Sequence, residues 1–227
     1  MFIDEFFDNG FFQNLVPKDR NNPSFGHIFK THAYYPHENL EFWRPIHDPS
    51  EPTQTIAKAF QIYSGREDAF SKRIPLGAPK LETNEEFLVV RAKIRPVIVV
   101  VPEMPFAEVD NTGFRGRVYR RRCLVAQVFG LRDVQSGRAE FSPVFVERVR
   151  KMEFPQLLFL PKHSGLFEVD SMLRLDECQS VFTSHLKPTD YSLGPDLTLL
   201  LREQLQFLLT GITPELYSCV REGCLKS

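Results

Sequence analysis

The chain has 227 residues, 42% of them hydrophobic and 25% charged, with a formal net charge of −1. This length lets a domain bury its core without staples, and the composition excludes a disordered, collagen-like or coiled-coil chain. No apolar run approaches the roughly 20 residues of a membrane-spanning helix, and a near-neutral charge argues against wholesale coating of nucleic acid. The opening MFIDEFFDNGFF holds three acids and no basic region, unlike an ordinary secretory signal. Cys123, Cys178, Cys219 and Cys224 are therefore expected as reduced thiols of a cytoplasmic protein.

Phenylalanine is abundant, 21 residues beside 6 Tyr and the single Trp43, which predicts a core filled by flat rings rather than aliphatic groups. In chain order, Phe2, Ile3, Phe6 and Phe7 fall at helical spacing among acids and predict a short amphipathic helix ending at or after Gly10. This arm, with the turn-rich PKDRNNPSF at 17–25, is expected to dock on its own core, the alternative being a partner-binding or swapped segment. A strand is expected from Gly26 through Tyr35. Residues 36–82, broken by six prolines, read as a long irregular insertion, with one short helix or strand at 53–64. The run Val97 to Val101 predicts a strand covered on both faces, with Pro96 at its first position because it cannot donate to a ladder. Strands are also expected at 121–129, 141–149 and 154–161, and an element of mixed period at 171–182. Pro195 and Asp196 open a helix lined by Leu197, Leu200, Leu201, Leu205 and Leu208 and closed by Gly211. The remainder, 212–227, reads as a tail. The sum is an α+β domain, mainly β, most simply a small barrel flanked by a C-terminal helix.

Phosphate-binding glycine loops, a G-x-S-x-G elbow and an H-E-x-x-H helix are all missing from the sequence. His27, His32, His37 and His47 lie within 21 positions, with Glu38 or Glu41 as further ligand candidates. They lack paired metal-ligand spacing, so hydrogen-bonded or surface histidines are expected and no cofactor is. Between Arg115 and Lys151 stand ten Arg or Lys against three acids, a local balance of +7. Arg115, Arg117, Arg120, Arg121 and Arg122 surround Tyr119. Guanidinium groups grip phosphates and an interleaved ring stacks an unpaired base, so this segment is a candidate for single-stranded RNA or DNA. A solvated loop paired with acids elsewhere is the alternative.

Three separated segments resemble the PemK/MazF-like toxin family. Gly26-His27-Ile28 stands where the family opens its first strand. Arg95-Pro96-Val97-Ile98-Val99-Val100 is similar to its Arg-Pro-Val-Leu-Val-Ile strand. Leu175-Asp176-Glu177-Cys178-Gln179-Ser180-Val181, with His185-Leu186, is similar to its Leu-Asp-Gln-Ile-Arg-Thr-Val segment before the last helix. The resemblance implies a single SH3-like barrel over 26–211 with insertions at 36–82 and 130–160. It also implies a homodimer, an antitoxin-like protein partner, and metal-independent cleavage of single-stranded RNA. In that chemistry a 2′-hydroxyl attacks the adjacent phosphate, and Arg95 would be the electrostatic stabiliser, unless it simply pairs with Glu85 or Glu86. Two family positions differ here. Phe129 follows Val125-Ala126-Gln127-Val128 where a Thr or Ser is expected, and Gln179 replaces an Arg. Either Arg132, His163 or Ser164 replaces the lost groups, or the protein binds RNA or a protein partner without cleaving.

Overall fold

A computed structural model describes residues 1–7, 10–34, 41–43, 47–48, 51–55, 87–90, 92–103, 121–132 and 140–226. The chain divides into two units, Met1–Thr31 with Arg95–Ser227, and His32–Ile94. In chain order the elements are α1 (Ile3–Phe6), β1 (Phe12–Asn14), β2 (His27–Tyr34), β3 (Glu41–Trp43), β4 (His47–Asp48), β5 (Glu51–Thr55), β6 (Phe87–Val89), β7 (Ala92–Val101) and β8 (Arg122–Gly130). There follow α2 (Pro143–Arg150), β9 (Leu157–Leu160), β10 (Ser171–Phe182), a 3₁₀ turn (Thr183–His185), β11 (Lys187–Leu193), α3 (Pro195–Thr210) and α4 (Glu215–Leu225). The fold is thus α+β and mainly β, as expected. Seven strands form one sheet in the order β1-β11-β2-β7-β8-β10-β9. In the smaller unit β3 pairs with β6 and β4 with β5, so the region expected to be irregular carries short strands. Most of the expected element at 53–64 lies outside the described residues.

The β-branched run of β7 is buried on both faces. Val97 and Val99 join Phe29, Cys123, Val125 and Val181 in a small inner cluster, while Ile98 and Val100 join the main core. Pro96 lies inside the strand rather than at its start. Its ladder with β8 begins only at Val97↔Gln127, so the missing N–H falls just before that pairing.

The row β11-β2-β7-β8-β10 is curled, and the reason is the length of one connection. In a flat sheet its two outer strands would lie four spacings apart, roughly 19 Å. Only residues 183–186 join β10 to β11. Fully extended they would span about 18 Å, and a 3₁₀ turn rising about 2 Å per residue shortens that well below the flat-sheet distance. The connection crosses the inner cluster: Leu186 packs on it, and the Thr31 hydroxyl donates to the His185 carbonyl at 3.0 Å. The curl also brings the outer edges together. The His163 ring, in the turn after β9, lies 5.0 Å from Phe12 of β1 and 4.9 Å from Tyr191 of β11. No ladder joins β1 to β9 among the described residues, so the sheet stays open in its hydrogen bonding.

The helices pack on the other side. In α3, Leu197, Leu200 and Leu201 are fully buried, and Gly211, at φ 71°, closes it as expected, its N–H bonded to the Phe207 carbonyl. At the other end Gly194 is obligatory, because a Cβ there would stand 1.7 Å from the Gly10 carbonyl oxygen. Gln204 donates to the carbonyls of Pro155 and Leu157, satisfying polar groups along edge strand β9.

Four further expectations are corrected. Residues 141–149 are not a strand. Ser142 caps Phe145 N–H, Pro143 occupies the first turn where no N–H is needed, and Val149 buries one face of α2. The expected tail contains α4, whose Tyr217, Val220 and Cys224 fall at helical spacing and enter the core. The main core is largely aliphatic. Phe7, Phe12, Phe145 and Phe154 sit only partly buried at its margin, Phe7 and Phe12 meeting the core rings of Phe11 and Phe167 edge-on. The N-terminal helix is one turn, ending before Gly10.

That helix docks in cis. Ile3 is fully buried, Asp4 takes a two-pronged ion pair from Arg150 of α2, and the Arg150 guanidinium sits 4.0 Å above the Phe2 ring. Ile3→Ala is expected to cost about 2–5 kcal/mol of unfolding free energy, measured by denaturant titration. A loss below about 0.5 kcal/mol would mean the arm contributes nothing to the core.

Candidate functional site

Strand alternation sets Arg95 and Gln127 on the inner face of the curl, two-residue steps from Val97 and Val125, while Phe129 near the end of β8 also packs into the main core. The Arg95 guanidinium lies 4.3 Å from the centre of the Phe129 ring. Arg174 of β10, register partner of Gln127, brings a second guanidinium to 5.6 Å from that ring. The two cations thus share one aromatic group.

Beside Arg174 the β10 ladder is broken. Arg174 pairs with Gln127 and Cys178 with the adjacent Ala126, so Leu175, Asp176 and Glu177 are looped out. The bulge turns two carboxylates onto Arg174. Asp176 accepts from Nε at 3.1 Å and Nη2 at 2.6 Å, and Glu177 accepts from Nη1. These bonds, Asp176 first, raise the Arg174 pKa further above its ordinary value. The Glu177 side chain is only 8% exposed, and its Oε2 is buried with no hydrogen-bond partner among the described residues. Gln179 lies on the same face and accepts from Gln127 Nε2 at 3.5 Å.

Arg95 and Phe129 are therefore brought together, with Gln179 nearby. Phe129 fills the position of the expected hydroxyl and seats both guanidinium groups. Arg115, Arg117, Tyr119 and Arg120, like Glu85 and Glu86, lie outside the described residues. Arg121 pairs with Glu103 at 2.7 Å, and Arg122 sits 4.5 Å over Phe182. Both stand at the far end of β8, roughly 24 Å along the strand from Phe129, so Arg121 and Arg122 do not share the Arg95–Phe129 contact. Of the expected replacements, Arg132 and Ser164 are exposed and His163 is engaged with Phe12 and Tyr191. Arg174 and Glu177 escaped sequence reasoning because the β8–β10 register places the first and the bulge the second, although Glu177 lies inside the segment that carries the resemblance.

Other chemistries find little support. Cys178 donates to the Leu175 carbonyl, and burial, then Asp176, pushes its thiol up to about 11; burial and Glu103 do the same to Cys123. Neither is a thiolate at neutral pH. All four cysteines are free of disulfides. Burial lowers the His27 and His32 pKa values, and His27 Nδ1 lies 3.0 Å from the Asn22 carbonyl. His37 lies outside the described residues, and among those described no three metal-ligating side chains converge. No described helix is long and apolar enough to cross a membrane.

A double-mutant cycle tests the shared ring. Arg95→Ala and Phe129→Leu are expected to couple by about 0.5–2 kcal/mol in unfolding free energy, the range of a partly desolvated cation–π contact. Strict additivity would remove the contact. Compared with known protein families and curated proteins, the chain matches no family model and no curated relative.

Proposed function

We propose that the protein is a PemK/MazF-like toxin-type protein that acts on single-stranded RNA in the cytoplasm and works as a homodimer. The observation that carries this reading is the placement of Arg95 on the inner face of the curled row, in the segment of resemblance, beside Arg174 and the buried carboxylate of Glu177. The five-strand row β11-β2-β7-β8-β10, turned on itself by a short connection, supports an SH3-like barrel.

Cleavage without a metal needs a proton acceptor, a stabiliser of negative charge and a proton for the leaving oxygen. Glu177 Oε2 takes the proton of the 2′-hydroxyl as that oxygen bonds to the adjacent phosphorus. The bond from phosphorus to the 5′ oxygen breaks, and water supplies the departing oxygen with a proton. Arg95 and Arg174 offset the charge on the pentacoordinate phosphate, which suits groups that stay cationic at any working pH. The products are a 2′,3′-cyclic phosphate and a 5′-hydroxyl end.

A second reading is favoured by Phe129. A phenyl ring exchanges no proton, and Arg174 is already held by two carboxylates. The protein is then a binding module for RNA or an antitoxin-like protein partner. Incubation of a mixed single-stranded RNA pool with purified protein in EDTA separates the two. The first reading expects cleavage, reduced about 100-fold or more in Arg95→Ala and in Glu177→Gln. Intact RNA with binding retained supports the second. Cleavage that stops in EDTA contradicts both.

A further inference from the structure

The stretch looped out of β10 is pinned at its first residue. Leu175 packs into the main core, its N–H donates to the Gln156 carbonyl at 2.9 Å, and its own carbonyl accepts from Cys178 Sγ at 3.3 Å. Asp176 and Glu177 therefore leave a fixed piece of backbone and meet one guanidinium. They meet it unequally. Asp176 takes the side of Arg174 that presents Nε and Nη2, one carboxylate oxygen to each. Glu177 reaches only Nη1, through Oε1, and its Oε2 stays buried with no hydrogen-bond partner among the described residues. A carboxylate beside a guanidinium ordinarily forks, with both oxygens on parallel N–H groups. Here Asp176 divides the cation with Glu177, holding Nη2 and setting the plane of the group. The Asp176 side chain is 38% exposed and that of Glu177 8%, so the accessible carboxylate holds the cation and the sheltered one keeps an unused acceptor.

We infer that Asp176 is a positioning residue, which acts through Arg174 to keep Glu177 Oε2 available to the 2′-hydroxyl of the RNA. It touches neither sugar nor phosphate itself. The inference deepens the cleavage reading proposed above and rests on it. Exchanging Asp176 for Asn leaves the shape nearly unchanged but removes the anionic grip. Arg174 then turns to Glu177, whose two oxygens fork onto it, and the acceptor is lost. The same exchange removes a negative charge from a site that receives a phosphate, so the substrate binds no more weakly. A residue that served only the packing of the bulge would loosen binding and turnover together.

Steady-state cleavage of a single-stranded RNA in EDTA tests it. Asp176→Asn should lower kcat about tenfold or more while KM stays level or falls. Asp176→Glu, which restores the charge at a partly exposed position, should recover much of that loss. The Asp176→Asn/Glu177→Gln double variant should be no slower than Glu177→Gln alone, because Asp176 acts through the group already removed. Wild-type kcat in Asp176→Asn, a loss that lies wholly in a raised KM, or losses that multiply in the double variant would each overturn the positioning role. The cleavage reading would survive any of these, provided the wild-type protein cleaves and Glu177→Gln does not. RNA left intact by the wild-type protein would overturn both.

Discussion

The architecture depends on one constraint of chain length. Four residues after β10 must reach β11, and a flat row of strands puts that partner beyond their span. The sheet must therefore curl, and the rest follows from the curl. Phe29, Val97, Val99, Cys123, Val125 and Val181 become an inner cluster under Leu186. The opposite face is left for α2, α3, α4 and the docked N-terminal turn. The edge strands converge until His163 packs on Phe12 and Tyr191, although no ladder closes them.

The same constraint separates the charged chemistry into two places. On the inner face Arg95 and Arg174 converge on Phe129, and the bulge at 175–177 brings Asp176 and Glu177 to Arg174. The aromatic ring contributes a hydrophobic seat and an attractive quadrupole where a hydroxyl was expected. It substitutes placement of cations for proton exchange, and any proton transfer falls to the bulge. On the outer side Arg122 and Phe182 stand beside the turn that leads to Lys187.

Much of the fold could be read locally. The β-branched run at 97–101, the stretch 121–129 and the leucine stripe closed by Gly211 each carry their own periodicity or cap. Residues 141–149 misled because Phe, Val and Phe suit a strand, while Ser142 and Pro143 decide for a helix by satisfying its first turn. β11 was invisible because KPTDYSL has a proline and little alternation; its partners on both sides make it a strand. Arg95 could be singled out from its segment. Its contact with Phe129 depends on the β7–β8 register, and Glu177 reaches Arg174 only through a ladder irregularity that no local pattern announces.

The central claim is that the sheet curls far enough for its two edges to meet. The most direct measurement is a set of nuclear Overhauser effects from the His163 ring in the intact protein. Cross-peaks to the rings of both Phe12 and Tyr191, with others from Leu186 to Val125 or Val181, are expected from ring centres about 5 Å apart and a shared inner cluster. A His163 ring with contacts only to its own turn and to β9 would contradict the curl, and with it the placement of Arg95 and Phe129.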